Sequence, residues 1–472
     1  MSQLENNIGP IPIEMDKIGE GRFSTNIPLS TMGIWNLEVQ GKTTKPNTPN
    51  IISNFEVNVK PELENLEFNV TEFKTPDKSI LLYPVFHPKT DSIWVGDTLP
   101  GSGRLWEFNI NNNTFTEHTV KDTNLITLSA FDSKNNNILW FTDPTSSILG
   151  KYDIGTDETE TIQLPVSGIV SGIVTDNRQN IWMTLTQENS IVKFDIDKND
   201  FETFEIPTEN SRPLGLIYDE ENNAIWFTES IGKIGKLDIQ TGKITEFPHQ
   251  TSNNEESLMQ EPTALLLDKE TANIYISDHL GNSIFSFNPL LSEFEKYPLS
   301  DINGLAFGMV FDKYNNLLIA QQISDTIAVL DPATGKTINF DIPTTGSLVQ
   351  YLTTDSKKDV WFAEQKGDAL AKVSTKFVPP SSSPSSSTDI QQPAATTTDS
   401  QLDSVKNNQT TLSVNNITQN TEIKFNDIFG PIIITSLVVS AILFTNSSYR
   451  LDTNIKDIKR LEPRETKKRK IK

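Results

Sequence analysis

The chain of 472 residues is long enough for two or three domains, and its 36% of hydrophobic residues allow a large core. The formal net charge of −22 argues against binding to nucleic acid, which requires clustered Lys and Arg. Because the chain has no cysteine, disulfides, thiolate nucleophiles and cysteine-ligated zinc are excluded. A metal centre with several His ligands is not expected, because the histidines are scattered: His87, His118, His249 and His279.

Residues 1–62 predict a small β segment. Short runs rich in β-forming residues indicate three strands, at Phe23–Leu29, Gly33–Val39 and Ile51–Val59. The run Gly33-Ile-Trp-Asn-Leu-Glu-Val39 resembles the last strands of Ig-like domains of the YtkA type. Three strands do not close a sandwich, so we expect the segment either to pack on the rest of the chain or to continue a domain that begins upstream. No signal peptide is visible after Met1, which the second alternative would also explain.

Residues 77–376 repeat with a period of about 42 to 49 residues, the spacing of β-propeller blades, and we assign residues 66–376 to a propeller domain. Each unit is marked by an apolar residue that an aromatic residue follows, except in the sixth unit, where a leucine takes the aromatic position. The seven marks are Ile93-Trp-Val-Gly-Asp97, Leu139-Trp-Phe-Thr-Asp143, Ile181-Trp-Met-Thr-Leu185, Ile225-Trp-Phe-Thr-Glu229, Ile274-Tyr-Ile-Ser-Asp278, Leu317-Leu-Ile-Ala-Gln321 and Val360-Trp-Phe-Ala-Glu364.

The repeat predicts an all-β protein. Further short runs bounded by turn residues give four strands per unit, which is one blade. A lone four-stranded sheet leaves both faces uncovered, so the blades must stack around an axis with the Trp residues between them. The seventh unit has only three strands, and Val70–Pro76 looks like an outer strand. We therefore predict a seven-bladed propeller that this N-terminal strand closes by pairing with the last blade.

The segment Ile225–Pro248 reads I-W-F-T-E, then I-G-K-L-D, then G-K-I-T-E-F-P. It is similar to the blades of the streptogramin (virginiamycin B) lyases and, more loosely, to gluconolactonase-like and NHL-repeat propellers. The resemblance implies a seven-bladed propeller of a family that opens an antibiotic's ester-linked ring by elimination, with Mg²⁺ as electrophile. The family's essential histidines lie in P-H-G-I openings of the inner strands of the last two blades, and a Glu after the last W-F-A contributes.

The positions that match the two histidines are Phe307 and Gln350, and the matching acid is Glu364 unless its position is shifted to Gln365. Neither a phenyl ring nor an amide acts as a general base near neutral pH. The resemblance therefore predicts the fold, and the departure from its motif predicts loss of the elimination reaction.

Acidic residues end the second strand of five predicted blades, and the loops that follow face one rim. Carboxylates that converge there would attract Ca²⁺ or Mg²⁺ through hard oxygen ligands. His279 could join such a site, whereas Leu185 and Gln321 interrupt the ring. The alternative is that these acids cap turns and solvate the rim. The candidate ligands are Asp97, Asp143, Glu229, Asp278 and Glu364.

The C-terminal sequence predicts a membrane anchor. Residues 377–424 are rich in Ser, Thr, Pro and Asn and indicate a disordered stalk. Residues 428–449 carry no charge and would span about 33 Å as a helix, roughly one hydrocarbon core. The tail, residues 450–472, is basic, so the positive-inside rule predicts a cytoplasmic C-terminus and a propeller outside the cell membrane. A tail-anchored propeller in the cytoplasm is the alternative.

Two classes of function follow from the sequence. The first, which the missing histidines favour, is a monomeric binding or interaction module whose rim recognises a ligand or protein, and an acidic rim suits basic partners. The alternative is a divalent-metal-dependent lyase, lactonase or esterase acting at the central pocket. Resemblance of fold does not choose between them, because one fold supports many functions.

Overall fold

The computed structural model describes residues 60–166, 168–248, 259–301 and 303–378, together with four strands nearer the N-terminus. Those four strands form two antiparallel pairs, β1 (Asp16–Gly19) with β2 (Arg22–Ser24) and β3 (Gly33–Gly41) with β4 (Ile51–Val59). The predicted strands at 33–39 and 51–59 are confirmed. Of the predicted strand at 23–29, the first two residues lie in β2, and residues 25–29 lie outside the described residues.

Several predicted segments lie outside the described residues. They are the stalk beyond residue 378, the membrane span at 428–449, the basic tail at 450–472 and the loop around His249. No helix in the part of the chain that the structure describes is long and apolar enough to cross a membrane. The anchor, the orientation of the tail and the Ig-like assignment of residues 1–62 stay predictions.

Seven four-stranded antiparallel sheets follow one another along the chain and confirm the predicted blades. A short 3-10 helix (Leu63–Asn65) and strand β5 (Leu66–Lys74) come before the first blade. The first three blades are β6 (Leu81–His87), β7 (Ser92–Asp97), β8 (Arg104–Asn109) and β9 (Thr114–Thr119); β10 (Ser129–Phe131), β11 (Ile138–Asp143), β12 (Ile148–Asp153) and β13 (Glu158–Gln163); and β14 (Val170–Thr175), β15 (Asn180–Leu185), β16 (Ser190–Asp195) and β17 (Asp200–Glu205). The next three are β18 (Pro213–Asp219), β19 (Ala224–Glu229), β20 (Lys233–Asp238) and β21 (Ile244–Pro248); β22 (Pro262–Leu267), β23 (Ile274–Asp278), β24 (Ser283–Asn288) and β25 (Glu293–Pro298); and β26 (Ala306–Phe311), β27 (Leu317–Gln321), β28 (Thr326–Leu330) and β29 (Thr337–Asp341).

The seventh blade is built from both ends of the propeller. Its inner three strands are β30 (Leu352–Thr354), β31 (Val360–Glu364) and β32 (Ala369–Phe377), and its outer strand is β5. The β5–β32 ladder runs without a break from Leu66 opposite Phe377 to Lys74 opposite Ala369. Phe73 on β5 lies 4.7 Å, ring centre to ring centre, from Phe108 of the first blade. The predicted closure is therefore confirmed.

The second strand of each blade is buried along its whole length, because neighbouring blades cover both of its faces. The outer strands of the first three blades carry only exposed and half-buried residues. Trp182 of the third blade packs in one cluster with Leu216 and Phe227 of the fourth. The large aromatic residues thus fill the space between blades, as the repeat predicts.

An aspartate at the end of the inner strand fastens the tryptophan of the second strand. In the third blade, Asp176 accepts hydrogen bonds from the backbone N–H groups of Arg178 and Asn180, and from the indole N–H of Trp182 at 2.9 Å. The same bond recurs in three other blades, between Asp132 and Trp140, Asp219 and Trp226, and Asp355 and Trp361. One carboxylate therefore shapes the inner hairpin turn and holds the core tryptophan.

Candidate ligand-binding site at the propeller axis

The antiparallel ladders bring the start of each inner strand beside the end of the second strand. Pro213 at the start of β18, for example, pairs with Glu229 at the end of β19. The loops that enter the blades and the turns after the second strands therefore share one face, which we call the mouth face. The axial mouth is a group of residues on this face near the axis. Four of them form a chain of ring contacts, and Gln350 is the buried neighbour of Tyr351 in sequence: Tyr83, His279, Phe307, Gln350 and Tyr351.

Aromatic rings from three blades form a continuous wall at the axial mouth. The rings of Tyr83 and Tyr351 lie 4.6 Å apart, and Phe307 meets Tyr351 edge to face at 5.0 Å. Tyr83 and Tyr351 also pack against the hydrophobic cluster of the second and third blades, which includes Leu128 and Val170. The two tyrosines thus reach from the first and seventh blades to the second and third.

Both phenols stay protonated in ordinary buffers, since burial raises the pKa of Tyr83 and of Tyr351. A neutral phenol offers a hydrogen-bond donor and an apolar ring face together. The wall formed by these tyrosines and Phe307 is therefore suited to a flat apolar group or to a cation held against the rings.

His279 extends the wall into the fifth blade. Its ring lies 5.3 Å from that of Phe307, and its Nδ1 lies 3.1 Å from the main-chain carbonyl oxygen of Ala306. Since a carbonyl only accepts, this contact assigns the ring hydrogen to Nδ1 and leaves Nε2 as an acceptor. Burial lowers the pKa of His279 to about 4, so the imidazole is neutral near pH 7.

The two positions that match the family's histidines lie side by side. Phe307 is in β26, and Gln350 comes two residues before β30. The N–H of Gly308 donates to the main-chain oxygen of Gln350 at 2.8 Å, and a Cβ on Gly308 would lie only 2.6 Å from that oxygen. Glycine therefore lets the sixth and seventh blades approach closely at the axial mouth. Neither side chain at the two positions has a basic atom near neutral pH.

The five acids predicted as metal ligands are fully buried. Asp97 accepts from the N–H of Ile80 at 2.9 Å and pairs with Arg104 at 2.7 Å. Asp278 accepts from the N–H of Glu261 at 2.8 Å, and Asp143 from that of Asn124 at 2.8 Å.

Each of these three carboxylates thus holds the loop that enters its own blade. Among the residues that the structure describes, no three His, Asp or Glu side chains are grouped so that they could hold a metal ion. The assignment of Ca²⁺ or Mg²⁺ to the five acids stays a prediction.

The other two acids, Glu229 and Glu364, each face a second glutamate on the outer strand of the same blade. Burial, followed by the charge of Glu246, raises the pKa of Glu229 to about 8. Burial, followed by the charge of Glu72 on β5, raises the pKa of Glu364 to about 7. The loop that enters each blade holds the second glutamate, since the N–H of Thr208 donates to Glu246 and that of Thr344 donates to Glu72.

Sequence reasoning missed these two carboxyl pairs, although the sequence carries a signal for them. Only the fourth and seventh blades combine a Glu at the end of the second strand with Thr-Glu-Phe in the outer strand, at 245–247 and 71–73. Opposite ladder positions then place both carboxyl groups of a pair on one face of the sheet.

Comparison with known proteins agrees with this geometry. The sequence model of the virginiamycin B lyase family matches residues 115–262. A streptogramin B lyase structure superposes with a TM-score of 0.58 at 18% identity, covering 66% of this chain and 98% of that one. A catalytically inactive virginiamycin B lyase from Staphylococcus aureus with quinupristin gives a TM-score of 0.58 at 18% identity, covering 65% of this chain and 99% of that one.

The extracellular domain of the hybrid two-component system BT4673 from B. thetaiotaomicron gives a TM-score of 0.52 at 14% identity, covering 65% of this chain and 39% of that one. No curated protein matched the sequence. At these identities the solved structures establish the fold alone. Together with the family match and the seven four-stranded blades, they show that the chain carries a virginiamycin B lyase-like β-propeller.

Proposed function

We propose that this propeller is a binding module whose axial mouth recognises a ligand without opening it by elimination. The observation that carries the proposal is the replacement of both histidine positions by Phe307 and Gln350, within an aromatic wall. His279, the only histidine in the axial mouth, lies in a different blade. Its Nδ1 hydrogen is committed to Ala306. These features favour recognition over proton transfer at this site.

The charge of the propeller indicates which ligands it favours. Between Leu66 and Phe377 the sequence has 45 Asp and Glu residues against 23 Lys and Arg residues. An acidic surface attracts cations over several ångströms, and aromatic faces hold them at short range. A ligand with a positive charge next to an apolar group therefore fits the axial mouth best.

Display at a membrane belongs to the same proposal and rests on the uncharged stretch at 428–449 and the basic residues after it. We expect the full chain to sediment with membranes after expression. A chain that ends at Phe377 should remain in the supernatant, and its sedimentation with membranes would count against the anchor.

The catalytic half of the proposal is tested with quinupristin and Mg²⁺. Elimination opens the ring without changing the mass, so the substrate and product are separated by chromatography. We expect the propeller to leave quinupristin intact under conditions in which the Staphylococcus aureus lyase opens it. Ring opening by the wild-type propeller would overturn the proposal.

The binding half is tested with tetraethylammonium as the probe, on protein labelled with fluorotyrosine. The resonances of Tyr83 and Tyr351 should shift on titration, and Phe307→Ala should weaken the response because it removes part of the wall. Unchanged tyrosine resonances at high probe concentration would refute binding at the axial mouth.

A further inference from the structure

Three neighbouring blades present an exposed aliphatic side chain at the same place on the mouth face. The place is the second residue of the turn that follows the second strand. It holds Ile231, Leu280 and Ile323 in the fourth, fifth and sixth blades, and these side chains are 43%, 46% and 54% exposed. The corresponding residues of the second, third and seventh blades are polar and exposed: Thr145, Gln187 and Lys366.

We call Ile231, Leu280 and Ile323 the aliphatic arc. Stacked β-sheets lie about 10 Å apart, so the arc extends over roughly 20 Å along the rim. Exposed apolar side chains that recur in register on a soluble surface mark a site of interaction. One turn of this kind would need no explanation, but its recurrence in three consecutive blades does.

The length of the arc fits a polypeptide segment. In an α-helix, residues seven positions apart are separated by about 10.5 Å along the axis, which matches the spacing of neighbouring blades. An amphipathic helix with apolar residues at this spacing would place one of them over each member of the arc.

The charge around the arc indicates which charge the polar face of that segment carries. Glu188, in the matching turn of the third blade, and Glu209, in the loop entering the fourth, are exposed. Two lysines lie on this side: Lys233 donates to Thr208 and lies 3.8 Å from Glu246, and Lys366, in the matching turn of the seventh blade, is exposed. With the excess of acids across the propeller, this surface complements basic residues.

We propose that the aliphatic arc docks a basic amphipathic segment of a partner polypeptide. The inference rests on the proposed binding function and names the class of partner that the mouth face takes. The apolar residues of the segment lie on the arc, and its Lys and Arg residues face the acids beside it.

The test uses two synthetic helical peptides of about 18 residues as probes, each with leucine at every seventh position. In one peptide the polar residues are mainly Lys, and in the other they are mainly Glu. The protein variant is the triple substitution Ile231→Ser, Leu280→Ser and Ile323→Ser. The matched control is Leu290→Ser with Leu291→Ser, since these leucines are 90% and 65% exposed in the turn between β24 and β25, on the opposite face.

We expect the wild type to bind the Lys peptide at least about tenfold more tightly than the Glu peptide. The triple variant should bind the Lys peptide with a Kd about tenfold or more above that of the wild type. The control should bind like the wild type, and all three proteins should melt at similar temperatures. Equal binding by the triple variant, or equal binding of both peptides, would overturn the inference.

Analytical sedimentation tests whether a second copy of the chain, rather than a partner peptide, occupies the arc. Wild-type dimers that the triple variant abolishes, and with which the Lys peptide does not compete, would assign the arc to a second copy of the chain and refute a peptide partner. Ring opening of quinupristin, by contrast, would refute the proposed function and leave the peptide result as it stands.

Discussion

At the scale of single residues, Glu229 and Glu364 are ionisable groups that make the stability of the fold depend on pH. Each is fully buried and faces a second carboxyl group, Glu246 or Glu72. A carboxyl group whose pKa is raised by folding binds its proton more tightly in the folded chain than in the unfolded one. Below the ordinary pKa of 4.5 the group is protonated in both the folded and the unfolded chain and does not change the stability. As the pH rises towards about 7 to 8, the unfolded chain loses this proton more readily than the folded chain, which destabilises the fold.

We therefore expect Glu229→Gln and Glu364→Gln to be as stable as the wild type at pH 5 and more stable at pH 9, by roughly 2 kcal/mol each. The amide keeps the shape of the protonated acid and cannot acquire the unfavourable charge. Urea unfolding at both pH values measures the difference, with the exposed Glu188→Gln as control. If both variants had the same free energy of unfolding as the wild type at pH 9, the charge on the carboxyl pairs would not destabilise the fold, contrary to this account.

The family resemblance predicted one part of the axial mouth, and another part was not predicted. The absence of histidine at positions 307 and 350 is visible in the sequence, because the resemblance identifies both positions in the inner strands of the last two blades. The wall that Tyr83 and Tyr351 complete was not predicted. These two residues are distant in the chain, and their contact arises only when the first and seventh blades meet.

At the scale of elements, the repeat predicted the strands well because each blade needs the same buried second strand and the same turns. The acids that end these strands were harder to interpret. Their regular spacing favours a metal ring as much as it favours loop anchoring. The hydrogen bonds of Asp97, Asp143 and Asp278 show that these three anchor the entering loops, and the metal site stays a prediction. The aspartate that holds the second-strand tryptophan in four blades, such as Asp176, was not predicted either, since the partner of Asp176 lies six residues further along, on the next strand.

At the scale of the whole molecule, the ring depends on one strand taken from near the N-terminus. Phe68 of β5 stacks on Phe340 of the sixth blade at 4.8 Å, while Phe73 contacts Phe108 of the first. The strand therefore joins the seventh blade to both of its neighbours. The axial mouth and the aliphatic arc keep their geometry only if this ring is closed, because each is assembled from several blades.

Hydrogen exchange of the native chain tests the closure most directly. The account predicts that the backbone amides of β5 paired with β32 exchange as slowly as those of β32 itself, and that both become exposed in a single cooperative unfolding event. Deletion of 66–76 should abolish that cooperativity. Amides of β5 that exchange at the rate of a free chain, while β6 to β32 remain protected, would contradict the closed propeller.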